Sequence, residues 1–171
     1  MTAPVSECAA DACAPATGAA PSGDAPQINP ATGLSTDYLN HFSEAIMALE
    51  MIATMPECAD DLRAWRPKSY CQHFAASNFA NRDAAIAAYA DADPAAVDVL
   101  ERTVETLDAI LPQVRDVVLR HLGTPDAAEL ARRAVSWLRP LVARAAAAIN
   151  GKSMTQLGRD TQAEIDAIFA S

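Results

Sequence analysis

Apolar side chains recur every three or four residues along most of the chain beyond residue 34, a spacing typical of amphipathic helices. The longest series runs from Val97 to Val118 and follows Asp93-Pro94, where the aspartate suits a helix cap and the proline suits the first helical position. A second long series follows Thr124-Pro125 and ends near Asn150-Gly151. The pattern therefore predicts two long helices that pack along apolar seams.

Each predicted long helix contains one internal proline, Pro112 in the first helix and Pro140 in the second. A proline removes a backbone donor inside a helix, so we expect a kink at each position. The seams continue on both sides of the prolines, as Val97, Leu100, Val104, Leu107, Leu111, Val114 and Val118 in the first helix and as Ala131, Ala134, Leu138, Leu141, Ala145 and Ala148 in the second.

Shorter helices are predicted before and after this pair. One is expected from Ser35 or Thr36 to about Met55, three more between Pro56 and Tyr89, and a last one near 161–169 behind a capping box. No stretch alternates convincingly as a strand. The fold class is therefore predicted to be all-α, a bundle of about five to seven helices over residues 34–171.

Residues 1–33 have a different composition from the rest of the chain. They consist mainly of Ala, Pro, Gly, Ser and Thr, with almost no large apolar side chain. Such a segment buries too little surface to offset the entropy of ordering, so we predict a disordered N-terminal arm. The bundle domain then accounts for the remainder.

The net charge of the chain argues against some classes of binding partner. The chain has 22 acidic and 13 basic residues, a formal net charge of −9 that repels a phosphate backbone and argues against nucleic-acid binding. No apolar run approaches the length of a membrane helix, and the N-terminus lacks the positive charge and leucine-like run of a secretory signal. We therefore expect a cytoplasmic protein whose thiols stay reduced.

One candidate metal site lies on the first predicted helix. Asp37, His41 and Glu44 follow each other at i, i+4 and i+7, which places two carboxylates and an imidazole on one face. The same helical wheel puts this face opposite the apolar stripe of Leu39, Phe42 and Ile46. The alternative is therefore a solvated polar face.

A second candidate metal set combines Cys58, Cys71 and His73, because thiolate and imidazole ligands suit zinc. The spacing lacks the paired C-x2-C knuckles of a structural zinc site. Cys58 also shares an apolar helix face, where a cysteine usually acts as a small buried hydrophobe. Cys8 and Cys13, in the arm, are interpreted as neutral.

An aromatic and basic segment follows the first helix. Aromatic and arginine side chains anchor many protein interfaces, which makes a partner-binding surface one interpretation of this segment. The other interpretation is that Trp65 and Phe74 close the end of the bundle. The residues concerned are Trp65, Arg66, Tyr70, Phe74 and Phe79.

No sequence motif for a nucleophile or for a phosphate-binding loop is present, so the hypothesis leans away from an enzyme and predicts no cofactor. The first hypothesis is a helical interaction or adaptor protein that binds a protein partner or forms a homodimer. The alternative is a protein that binds a transition metal or haem through His41, Glu44, Cys58, Cys71 and His73.

A third hypothesis rests on composition. The alanine-rich amphipathic helices of this acidic chain resemble those of the phasins, which coat polyester storage granules. The resemblance covers no motif. It implies a granule-coat or surface-coat protein and assigns no residue.

Overall fold

The structure is a computed structural model that describes residues 27–52, 54–80 and 82–152. The predicted final helix, Cys8 and Cys13 lie outside these residues. Within them the chain forms α-helices, two short 3-10 segments and no β-strand, apart from a single bridge between Ile28 and Ser35. The prediction of an all-α bundle is confirmed.

The helices follow in the order in which the sequence pattern placed them. A 3-10 turn, Thr36–Leu39, leads into the first α-helix, and a second one, Pro56–Cys58, leads into the second. The α-helices are α1 (Asn40–Met51), α2 (Ala59–Ala64), α3 (Tyr70–Ala76), α4 (Arg82–Ala90), α5 (Pro94–Arg120) and α6 (Pro125–Ile149).

Helices α5 and α6 form an antiparallel hairpin along most of their lengths. The Asp93 carboxylate accepts hydrogen bonds from the amides of Ala95 and Ala96 at 3.4 and 3.2 Å, which confirms the predicted cap of α5. Both helices run through their internal prolines, so the kinks predicted at Pro112 and Pro140 stay predictions. The buried seam residues include Leu100, Leu107, Leu111 and Val118 of α5 and Ala131, Ala134, Leu138 and Ala145 of α6.

Helix α1 lies against α6 and is buried over most of its circumference. Its exposed positions form a narrow strip of Asn40, Ser43, Glu44, Met47 and Glu50. The helix ends at Met51, earlier than the predicted Met55. The reason for the extra burial is that the chain after α1 folds back and covers the side that faces away from α6.

That covering layer consists of α2, the loop of residues 65–69, which we call the Trp65 loop, and α3. Ser69 caps α3 with a full capping box, in which Gln72 returns a hydrogen bond to the Ser69 amide. Tyr70, Cys71 and Phe74 of α3 are buried. The layer therefore gives α1 a second apolar neighbour in addition to α6.

The segment 27–33 is fixed to the bundle. The Thr32 hydroxyl donates to the Ile149 carbonyl at 2.5 Å, and the Thr32 carbonyl accepts from the Asp93 amide at 2.9 Å. The Gln27 amide donates to the Asp37 carboxylate. These polar groups tie the segment to the ends of both long helices.

Among the helices of the described ranges, none combines the length and the apolar character needed to cross a membrane.

Two glycines with positive φ provide a matched test of local packing, because only one of them has other atoms close to the place where a Cβ atom would lie. Gly33 has φ of 73°, and a Cβ there would lie 3.0 Å from the Ala92 Cα and 3.1 Å from the Ala88 carbonyl oxygen. Gly123 has φ of 84°, but a Cβ there would meet nothing within 4 Å. Gly123→Ala should cost about 1 kcal/mol from backbone strain alone, and Gly33→Ala should cost about 1–3 kcal/mol more because of the clash. Urea unfolding of both variants measures the difference, and equal losses would show that the chain around Gly33 has room to move.

Candidate functional site

The structure brings together two of the five predicted metal ligands. His41 of α1 is buried in the core, His73 of α3 is half-buried, and their ring centres lie 6.1 Å apart. Glu44 is exposed on the strip of α1 that faces solvent. Across the residues that the structure describes, no three His, Cys, Asp or Glu side chains converge on a point where they would hold a metal ion.

The two cysteines of the predicted set do not join the histidines. Cys58 carries a free thiol and is half-buried. Cys71 is disulfide-bonded, so its sulfur does not offer a thiolate to a metal. This state also departs from the expectation that every thiol is reduced.

The burial of His41 corrects the helical-wheel expectation of a solvated face. Only 3% of the residue is exposed. The wheel treated the side of α1 opposite Leu39 and Phe42 as open to water, but the Trp65 loop covers it. A face that a pattern assigns to solvent becomes core when a later segment packs on it.

Trp65 holds His41 in two ways. Its indole Nε1 donates to the His41 carbonyl at 2.9 Å, and its ring stacks on the imidazole with centres 4.9 Å apart and planes 18° apart. The Trp65 carbonyl accepts from the Arg115 guanidinium of α5 at 3.3 Å. The loop is therefore fixed both to α1 and to the hairpin.

Further aromatic rings surround the histidine pair. The Tyr38 ring meets the His73 ring edge to face at 5.6 Å, and its hydroxyl donates to the Lys68 carbonyl at 2.8 Å. Phe42 and Phe74 also pack against the pair, on His41 and His73 respectively. The two imidazoles thus lie in a cage of side chains that offer ring faces and edges.

One nitrogen of each imidazole has no partner. Nε2 of His41 and Nε2 of His73 are both buried, and neither makes a hydrogen bond. The backbone of Arg66 provides a hydrogen bond for His41, and the backbone of Asp37 provides one for His73.

Both rings are held neutral. Burial, and to a smaller extent the positive charge of Lys68 and the nearness of His73, lower the pKa of His41 to about 4. Burial and Lys68 also lower the pKa of His73. At neutral pH both imidazoles are therefore unprotonated.

Most residues of the predicted aromatic interface are buried. Trp65, Tyr70 and Phe74 are core residues, and Phe79 is partly buried. Arg66 is exposed, but its guanidinium donates to the carbonyls of Arg63 and Trp65. The aromatic side chains close the end of the bundle, which was the second interpretation of this segment.

The structure exposes a different aromatic surface, which we call the Trp137 groove. Trp137 of α6 is 57% exposed, and the guanidinium of Arg133 lies over its ring at 5.9 Å from the ring centre. The groove between α5 and α6 beside it has a volume of about 370 Å³. Its lining consists of Ile110, Gln113, Val114, Val117, Val118, Leu130, Arg133, Ala134 and Trp137.

Sequence reasoning missed the Trp137 groove, although one signal was present. Trp137 directly precedes Leu138, a member of the α6 seam, so a helical wheel places the indole outside the seam. A tryptophan outside the seam of an amphipathic helix has no intramolecular partner assigned by the pattern. The valines and the leucine that line the groove were assigned to the core or to neither face.

The chain matches no protein-family model, no curated protein and no solved structure.

The histidine pair predicts a pH dependence of stability. The folded-state pKa of His41, about 4, lies below its ordinary value of 6.5, so the unfolded chain takes up the proton first. Stability should be fully present above about pH 6.5 and fall as the pH drops toward 4. Between pH 7 and pH 5, the titration of His41 should lower the free energy of unfolding by about 2 kcal/mol. Urea unfolding at each pH measures this change.

Asp108 is a necessary control in this measurement. Burial raises its pKa to about 6, so its contribution to stability has the opposite sign over the same pH range. A His41→Phe variant keeps an aromatic ring against Trp65, retains Asp108 and lacks the titrating group. If this variant loses stability on acidification as steeply as the native chain, the imidazole of His41 is not the cause.

Proposed function

We propose that the protein is a helical interaction module that binds an amphipathic helix of a protein partner in the Trp137 groove. The observation that carries this proposal is the exposed indole of Trp137 beside an open apolar groove. An apolar helix face laid into such a groove is a common mode of peptide recognition.

The floor and walls of the groove support this role. Val118 and Ala134 are fully buried and form a rigid floor, whereas Ile110, Val114 and Leu130 are only partly buried and leave apolar surface accessible. Covering such surface gains about 25 cal/mol for each Å² removed from water. A helix with apolar side chains spaced three and four residues apart would cover several of these positions at once.

Trp137 and Arg133 provide the expected anchor. Tryptophan and arginine are enriched among the residues that contribute most to binding at protein interfaces. The neighbouring arginines of α6 are engaged by carboxylates, since Arg132 pairs with Glu129 and Arg139 pairs with Glu50. Arg133 instead stands at the rim beside the exposed ring, where an acidic side chain of the partner would meet it.

The rest of the described surface has one further large apolar side chain with high exposure. Met47 of α1, 55% exposed, is the other large apolar side chain with high exposure among residues 27–52, 54–80 and 82–152. Met47 therefore serves as the matched control for Trp137.

Site-specific photo-crosslinking in cells of the source organism tests the proposal. A benzophenone side chain introduced at Gln113, an exposed position of the groove, should give one discrete crosslinked product, whereas the same group at Arg102 on α5 should not. Trp137→Ala should abolish the product at Gln113, and Met47→Ala should leave it unchanged. With the partner identified, Trp137→Ala should weaken binding by about thirtyfold, which corresponds to about 2 kcal/mol.

Two outcomes would contradict this function. A product at Gln113 that survives Trp137→Ala would show that the groove is not the docking surface. A product with the mass of two copies of this chain would identify self-association in place of a different protein. Because Trp137 is exposed, the variant should lose less than about 1 kcal/mol of folding stability, so unfolding does not explain a lost crosslink.

A further inference from the structure

The Trp137 groove has the length of a short helix. On α6 its lining extends from Leu130 to Trp137, and on α5 it extends from Ile110 to Val118. At 1.5 Å per residue these two stretches are about 10 and 12 Å long. An occupant of two to three helical turns would therefore fill the groove.

The chain itself contains a segment of this size. The sequence predicts a short helix near 161–169, outside the described residues, in which Ile165, Ile168 and Phe169 recur at spacings of three and four. A helix of this span is about 13 Å long. Since a helix this short is not stable alone in water, its apolar face needs a surface to pack on.

The chain is long enough to bring this segment to the groove. Helix α6 ends at Ile149, and Gly151, with φ of 68°, turns the backbone away from the helix axis. Trp137 lies about 18 Å back along α6 from the end of the helix. Residues 153–160 span up to about 26 Å when extended. A helix that begins near residue 161 can therefore lie beside Trp137.

The charges of the groove and of the segment are opposite. Arg133 and Arg144 lie four residues before and seven residues after Trp137, on the same face of α6. Neither arginine forms an ion pair with a described residue. Residues 160–169 contain three acidic side chains and no basic one. Opposite charges of this kind favour one docked arrangement over others. The acidic residues are Asp160, Glu164 and Asp166.

We propose that residues 161–169 dock as a helix in the Trp137 groove of the same molecule, with their apolar face on the groove, and block it until a partner helix displaces them. A tethered segment has an effective concentration in the millimolar range, so a weak intrinsic affinity is enough to keep it docked. The docking stands on the groove and the segment alone, whereas its regulatory consequence rests on the function proposed above.

Photo-crosslinking of the purified full chain tests the docking without any partner. A benzophenone side chain at Gln113, on the groove, should insert into the docked segment of the same molecule. Digestion with trypsin, which cuts after arginine, should then leave residues 103–115 joined to residues 160–171, as mass spectrometry can show.

Two adjacent substitutions provide a matched pair of variants. Ile168→Asp places a charge on the apolar face of the segment and should lower the yield of the joined peptides by about tenfold or more. Ala167→Asp adds the same charge on the opposite face and should leave the yield unchanged. If the joined peptides do not form, or if Ile168→Asp leaves their yield unchanged, the segment is not the occupant of the groove and the proposal is wrong.

A mixture of unlabelled and nitrogen-15-labelled chains identifies the source of the segment. Docking within one molecule gives only joined peptides in which both parts carry the same label. Joined peptides that combine one labelled and one unlabelled part would show that a second copy supplies the segment, which overturns the proposal of docking within one molecule.

The crosslinking experiment in cells separates this proposal from the proposed function. If the segment blocks the groove, Ile168→Asp should raise the yield of the partner product at Gln113 severalfold, because more molecules have an open groove. A partner product in cells without joined peptides in the purified chain would refute the docking and leave the function standing. Joined peptides without any partner product, with the native segment or with Ile168→Asp, would refute the function and leave the docking standing.

Discussion

The contact on which the rest of the structure depends is that between the Trp65 loop and α1. The indole of Trp65 stacks on His41 and donates to its backbone, while the carbonyl of Trp65 binds Arg115 of α5. This one residue joins the first helix to the far helix of the hairpin. Without it, α1 would have one apolar neighbour, α6, and the polar face predicted from the sequence would meet water.

The same contact creates the histidine pair. Because the loop and α3 fold over α1, His73 is carried to the buried His41 ring. Burial then keeps both imidazoles neutral and leaves Nε2 of each without a partner.

The Trp137 groove has a different physical origin. Helices α5 and α6 extend beyond the stretch that α1 covers, and α6 uses alanines at its seam, so the two long helices approach closely without burying all their larger side chains. Trp137 and its neighbours stay accessible because nothing else in the described chain packs on them. The groove and the histidine pair therefore lie in separate parts of the fold.

The sequence by itself determined the helices. The starts of α5 and α6, the capping aspartate at position 93 and the seams of both helices depend on interactions between residues three or four positions apart, which a single sequence displays. The tertiary structure alone decided which faces are covered. His41 and Glu44 had the same expected exposure, yet His41 is buried in the core and Glu44 faces water. Trp65, which the predicted interface required to be exposed, is buried, whereas Trp137 is exposed. Those outcomes depend on contacts between residues far apart in the chain, and the periodicity of one helix carries no information about the segment that will pack against it.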